Sequence, residues 1–282
     1  MWENRSKVIF ISCVFIASMV FIQLGAYALH LLFNWDIKIN VILLCKNEMR
    51  SLGLYSVGYV LDLLVFYTGF FVIWKTIRQL FLSKKVFKKI IILRDGSLTE
   101  ELNRNYSKEH QIITVINHKV PFAFTMGLIQ PKVMLSTGLL NLLKKEEVEA
   151  VIHHEFYHKK HRDPLKTFLL SLFASVLWFI PILRWLQQRY KMIREVLADD
   201  HAINTMGTPV ALGSALLKLL KREKSISMPF SFVSFADTAI NYRIRKLVDP
   251  DTTVPLHPPL TPIVVSINVL LLLCTMLVLV LS

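Results

Sequence analysis

Residues Val8 to Phe33 form a nearly unbroken apolar stretch, interrupted only by single polar residues such as Gln23 and His30. A run of this length crosses the ~30 Å hydrocarbon core of a bilayer as a helix, and it exceeds the apolar core of a cleavable signal peptide. It reads as a retained membrane anchor. Leu54 to Ile77 is a second stretch of this kind and Pro262 to Leu281 a third. Candidate interface residues bound the first two: Trp35 follows the first, and Trp74, Lys75 and Arg78 stand at the end of the second. Hydrophobic residues make up 54% of the 282-residue chain, and the mean hydropathy of +0.48 exceeds that of an ordinary soluble domain.

Beyond Lys75 and Arg78 the chain continues with Lys84, Lys85, Lys88, Lys89 and Arg94. Basic residues concentrate on the cytoplasmic side of a span, so this segment is expected inside, together with the N-terminus and its Arg5 and Lys7. The loop from Asn34 to Ser51 is then outside, although it holds Lys38, Lys46 and Arg50, and Ser282 is outside as well.

His154-Glu155-Phe156-Tyr157-His158 carries the chemistry. Histidines four apart on a helix face the same way, with a glutamate beside them. Neutral imidazoles hold a borderline-soft metal, and a carboxylate within hydrogen-bond reach of a water at that metal takes its proton as the water attacks a carbonyl. The surrounding residues predict the helix: Val148, Val151 and Ile152 have its apolar spacing, and Glu146, Glu147 and Glu149 favour its first turns. A catalytic zinc also takes a third protein ligand. In Glu195-Val196-Leu197-Ala198-Asp199 the acidic residues again fall four apart, so Glu195 completes a two-histidine, one-glutamate set. Asp199 then hydrogen-bonds the free ring nitrogen of a ligand histidine. The bland readings are a chance match for the first motif and, for the second, a solvated helix face carrying Arg194, Asp199 and Asp200.

These segments resemble the membrane-embedded zinc metallopeptidases of the antibiotic-sensor BlaR/MecR type, peptidase family M56, which are related to the prenyl-protein protease and HtpX peptidases. The resemblance covers about Ile112 to Asp249. Val120-Pro121-Phe122-Ala123-Phe124, with Gly127, Pro131 and Val133-Met134-Leu135, is similar to the family's strand segment. Glu147 to Glu155, followed by His158 and Arg162-Asp163, is similar to its zinc helix, and Arg194 to Asp199 to its third-ligand helix. Arg243-Ile244-Arg245-Lys246-Leu247 resembles a basic segment that follows. The resemblance implies that His154, His158 and Glu195 are zinc ligands and that Glu155 is the catalytic base. The best-known members carry an extracellular penicillin-binding sensor domain after the last span, whereas this sequence ends at Ser282. The peptidase role is therefore carried over and a β-lactam receptor role is not.

Thr167 to Leu186 is a further apolar segment, and it lies between the proposed ligands His158 and Glu195. A single crossing there would put those ligands on opposite sides of the bilayer, which bonds of ~2 Å to one metal forbid. Pro181, among Trp178, Phe179 and Trp185, points to a broken helix that re-enters or lies in the interface. Asp163-Pro164 is the start signal of that helix.

Lys89 to Leu93, Gln111 to Ile116 and Lys132 to Ser136 read as strands. A strand beside the zinc helix would hold an extended substrate at its edge, or serve as an ordinary core strand. Thr208-Pro209 starts another helix, whose Leu212, Leu216, Leu219 and Leu220 are packing residues. Asp62 lies inside an apolar span, where an ionisable group is a functional suspect, yet it stands close enough to Leu54 to reach the interface. His153, His161 and His201 are spare histidines; one of them, or Arg243, is a candidate to stabilise an oxyanion. Cys13, Cys45 and Cys274 show no ligand spacing and no disulfide framework. The net charge of +13 suits anionic inner-leaflet lipids, since no nucleic-acid motif accompanies it.

The expected fold is a multi-pass α-helical membrane protein with a cytoplasmic α+β zincin-like (gluzincin) metallopeptidase domain. Residues 1–80 hold two transmembrane helices, 81–258 the peptidase domain with the re-entrant or interfacial segment 167–186, and 259–282 a C-terminal transmembrane helix. The expected activity is zinc-dependent cleavage of a cytoplasmic or membrane protein, with a cytoplasmic transcriptional repressor as the substrate that the resemblance implies. The alternatives are an HtpX-like quality-control peptidase and a non-catalytic membrane receptor with a structural zinc site. Expected partners are the protein substrate, membrane lipids and a second copy of the chain, with no direct nucleic acid.

Overall fold

The computed structural model describes residues 2–33, 43, 47, 50–51, 53, 55–106, 112–223, 242–246 and 259–269. In chain order the elements are α1 (Trp2–Phe33), α2 (Tyr55–Ile92), α3 (Gly96–Tyr106), β1 (Ile113–Ile116), β2 (Ala123–Met126), β3 (Lys132–Ser136), α4 (Thr137–Leu142), α5 (Lys145–Lys160), α6 (Asp163–Val176), α7 (Pro181–Met206) and α8 (Val210–Glu223). Residues 242–246 and Leu260–Val269 are also helical. Trp35, Lys38, Cys45, Lys46, Cys274 and the third apolar stretch beyond Val269 lie outside the described residues. The chain forms two compact units, one of Met1–Ser6, Leu82–Phe168 and Tyr190–Leu256, the other of Lys7–Phe81, Leu169–Arg189 and His257–Ser282.

The first unit is built on a small mixed sheet of order β1-β3-β2, in which β3 runs parallel to β1 and antiparallel to β2. Alternation along β3 sends Val133 and Leu135 to one face and Met134 to the other. The first face packs with Leu139, Val148, Val151 and Ile152 of α4 and α5, and the second with Val86, Ile90 and Ile116. Burial on both faces suits a continuous apolar run such as Val133-Met134-Leu135, which is fully buried. Gly127 at φ +115° turns β2 toward β3, and a Cβ there would lie 2.7 Å from the Gln130 carbonyl oxygen.

The expected strand Lys89–Leu93 is instead mostly the end of α2, which runs helical to Ile92. Its isoleucines favour strand locally, but no glycine or proline stands between Gly69 and Gly96 to stop the helix. Val86 and Ile90, four apart, bury one helical face on the sheet, so tertiary packing outweighs the β-branched preference.

Glu147 ties α5 to its neighbours. Its carboxylate accepts from the Lys144 backbone N–H at 2.7 Å, the Ser214 hydroxyl at 2.6 Å and the Lys218 ammonium at 2.6 Å. Burial opposes its ionisation, yet these donors hold its pKa below the usual carboxylate range. The Thr208-Pro209 signal is followed by α8 from Val210, and Leu212 is buried on Ala150 and Ala202.

In the second unit, Cys13, Ala17, Val20, Leu24 and Tyr27 form the buried stripe of α1. Val8, Ile11, Phe15 and Ile22 are exposed on the same helix. Among the described residues, α1 is the helix long and apolar enough to cross a membrane. The Tyr27 hydroxyl donates to Asp62, giving that carboxylate a partner on α1. The apolar segment from Thr167 is broken at 177–180, and α7 begins at Pro181. Proline suits a first helical turn because its missing N–H has no intrahelical role there. The next orphan donor, Ile182 N–H, is met by the Ser266 hydroxyl at 3.0 Å, and Gln187 bridges back to Ser171 at 2.7 Å.

Candidate active site

Helix α5 places His154 and His158 on one face by its period alone, and α7 does the same for Glu195 and Asp199. The fold brings the two faces together. One ligand atom from each of His154, His158 and Glu195 lies within 4.8 Å of the others. The histidine Nε2 atoms are 3.2 Å apart, and each is 3.5 Å from a Glu195 carboxylate oxygen. A tetrahedral metal with bonds of 2.0–2.1 Å has ligand-to-ligand edges of about 3.3 Å, so these separations suit one small ion.

The opposite ring nitrogens support the same reading. His154 Nδ1 lies 2.9 Å from Asp199 Oδ1, and His158 Nδ1 lies 2.8 Å from Asp163 Oδ2. A hydrogen held at each Nδ1 leaves the Nε2 lone pairs facing one another and Glu195. Burial and the Arg243 guanidinium work against a proton on His154, but the carboxylates of Asp199 and Glu195 outweigh them and raise its pKa to about 9. Burial likewise opposes ionisation of Glu195 and Asp199, and Arg243 first among their partners keeps both well below the usual range. The cluster therefore draws positive charge, as a divalent-ion site must.

Glu155 is buried on α5 beside these groups, and Thr125 of β2 secures it. The Thr125 Oγ1 lies 2.7 Å from Glu155 Oε2 and 3.0 Å from the Glu155 carbonyl oxygen. Arg243 grips Asp199 through Nε and Nη2, both at 2.7 Å, and its Nη1 lies 3.0 Å from Glu195. Lys246 pairs with Asp200 at 2.8 Å.

Several sequence expectations are changed by this arrangement. Arg194 and Asp199 are buried, so the solvated-face reading of that segment fails for both. Asp163, read as a helix start, is also buried against His158 and Arg194. It gets there through Arg162 at φ 53°, a left-handed conformation that costs a residue with a side chain about 1 kcal/mol. The structure sets His201 against the Tyr157 ring at 5.5 Å rather than in the ligand cluster. His201, His153 and His161 all have pKa values lowered by burial. Thr125 gave no signal in the sequence, because its role exists only once β2 packs beside α5.

The family model described as BlaR1 peptidase M56 matches residues 37–247. The regulatory protein BlaR1 of Bacillus licheniformis is 29% identical over 136 residues, covering 47% of this chain and 22% of that protein. An HtpX protease homolog of Pyrococcus abyssi is 27% identical over 157 residues, covering 43% of this chain and 54% of the relative. HtpX homolog 2 of Methanosarcina mazei is 29% identical over 141 residues, covering 38% and 48%. The chain thus spans about half the length of the HtpX relatives and less of BlaR1. The match takes in β1 to β3, both helices that carry the clustered His and Glu side chains, and Arg243, and on that ground the chain belongs to the BlaR1 peptidase M56 family of membrane metalloproteases.

Proposed function

We propose that this protein is a zinc-dependent endopeptidase with His154, His158 and Glu195 as metal ligands and Glu155 as general base. The convergence of the His154, His158 and Glu195 ligand atoms within 4.8 Å, with Glu155 adjacent, carries the reading. Nitrogen and carboxylate donors in this number suit zinc. A zinc ion held there supplies a Lewis acid toward the scissile carbonyl and the attacking water. Glu155 takes the proton of that water and passes it to the leaving amine. Thr125 fixes the carboxylate for both transfers. Arg243, with Asp199, fixes Glu195 and the His154 tautomer. β2 is an edge strand of the described sheet and touches Glu155 through Thr125, so a peptide added along it would pass the base in extended form.

The substrate we favour is a cytoplasmic or membrane protein cut in regulated proteolysis, with the repressor reading resting on the likeness to BlaR1. The coverage of about half of several HtpX homologs favours the second reading, a quality-control peptidase of membrane proteins. A structural zinc site on a receptor would have no use for a base, and Glu155 speaks against it. The multi-pass topology, the cytoplasmic active site and contact with anionic lipids belong to the same proposal. Their support is the concentration of basic residues Lys75, Arg78, Lys84, Lys85, Lys88, Lys89 and Arg94 directly after the second apolar stretch.

The test is metal content and peptide cleavage by detergent-purified protein. Wild type should bind one zinc and cleave, and Glu195→Ala should lose metal affinity. Because His154 holds a second ring hydrogen, at Nε2, below about 9 and must lose it on metal binding, zinc affinity should weaken as pH falls through that value. Wild type without bound metal or cleavage would sink the proposal. Cleavage of a co-expressed repressor against misfolded membrane protein separates the two substrate readings.

A further inference from the structure

We infer that Asp163 and Arg194 are positioning residues for His158, forming a second carboxylate–arginine clamp in addition to the one that Asp199 and Arg243 form behind His154. The inference rests on the metal reading above. Each histidine has a carboxylate held by an arginine behind it. His154 Nδ1 meets Asp199, which Arg243 grips, and His158 Nδ1 meets Asp163, which Arg194 grips. Arg194 Nε donates to Asp163 Oδ2 at 2.9 Å and lies 2.8 Å from Oδ1. Its guanidinium also lies 4.6 Å from the centroid of the Tyr157 ring, the residue before His158.

The side chain of Asp163 is turned away from the ordinary use of an aspartate at a helix start. A residue there commonly caps the first amides of its own helix. The Asp163 carboxylate instead accepts from His158 and Arg194, while His158, Asp163 and Arg194 are all buried. The left-handed backbone at Arg162 is the local device that aims it back at α5. Arg194 immediately precedes Glu195, so the pair joins the end of the two-histidine helix to the residue beside the third ligand. A group at this place sets which ring nitrogen of His158 is protonated and where its lone pair points, and loss of such a partner typically weakens metal binding 10–100-fold. A purely structural tie between α5 and α7 would instead affect folding and leave metal binding alone.

The experiment compares wild type, Asp163→Asn and the double variant Asp163→Asn/Arg194→Met in detergent. The double variant removes the buried charge that the single variant would strand. Zinc affinity is measured by chelator competition, the visible spectrum with Co2+ in place of zinc, and the melting temperature in excess chelator. Both variants should bind zinc 10–100-fold more weakly with an altered cobalt spectrum, while the chelator-treated double variant melts with wild type. Wild-type zinc affinity and cobalt spectrum in whichever variant folds overturn the inference, whatever the melting temperature does. A wild type that binds neither metal overturns the site reading itself, and this inference falls with it.

Discussion

In β3 of the site-bearing unit Val133, Met134 and Leu135 are each 0% exposed, whereas in α1 of the second unit Val8, Phe15 and Ile22 are 62%, 69% and 66% exposed. Both segments are strongly apolar, so composition does not separate them. Their surroundings do. The first is covered on both faces by side chains of its own unit, as water requires of a core strand. The second shows a buried stripe and an apolar outer face, an arrangement that water penalises and hydrocarbon accepts. Polar groups follow the same division. In the site-bearing unit, buried His154, His158, Asp163, Arg194 and Asp199 pair with one another in a dense network. In the second unit, the Tyr27–Asp62 pair lies between long apolar helices.

The largest effect is expected at the network. Glu155→Gln should lower peptide cleavage about 10²–10⁴-fold while zinc content stays at the wild-type value, measured on one preparation. Cleavage near the wild-type rate would move the base elsewhere. Phe15→Lys tests the opposite region. If its outer face meets lipid near the bilayer centre, membrane insertion of α1 should become less favourable by about 2.5–3.5 kcal/mol in an insertion assay. Unchanged insertion would mean that this face meets protein or water.

Glu147→Gln should destabilise the site-bearing unit by about 1–3 kcal/mol, read as a shift in chemical denaturation, because it weakens a buried carboxylate held by Lys144, Ser214 and Lys218. The sign with pH follows from its lowered pKa. The native state keeps the ionised form to lower pH than the unfolded chain, so the stabilisation is present above the usual carboxylate range and is lost as pH falls through the native value. Glu147→Gln should therefore flatten the acid limb of the stability curve. The smallest effect is expected at Val210, which is 72% exposed in the site-bearing unit, where Val210→Lys should change stability by no more than about 0.5 kcal/mol. The contrast between Phe15→Lys and Val210→Lys sharpens the comparison, since equal responses would erase the difference between the two regions.

The readable parts of the sequence are those set by local periodicity. His154 with His158, and Glu195 with Asp199, are each one helical turn apart, so their shared faces follow from spacing within a segment. Val133-Met134-Leu135 was legible as a strand from its apolar, β-branched run between turn-like polar stretches. Ile90-Ile91-Ile92 looks like a strand because β-branched residues in a row favour one until Ile116 and Met134 are there to receive a helical face. Arg194 and Thr125 were illegible in their roles because each acts across the fold, and Asp163, five residues from His158, because only the left-handed turn at Arg162 aims it back. Thr125 reaches a residue thirty positions away, and Arg194 one thirty-one away. A sequence shows that such residues are polar, but not which partner replaces water.

The Thr125 hydroxyl has one hydrogen to share between two acceptors on Glu155, the carboxylate at 2.7 Å and the carbonyl at 3.0 Å. When the carboxylate is charged, that hydrogen serves it. Once the carboxylate has gained a proton, the hydroxyl can turn its hydrogen to the carbonyl and receive the new one on its lone pair. Both protonation states then find a partner through rotation about a single C–O bond, with no heavy atom displaced. Serine preserves that two-position rotor, and valine, of nearly the same shape, removes it.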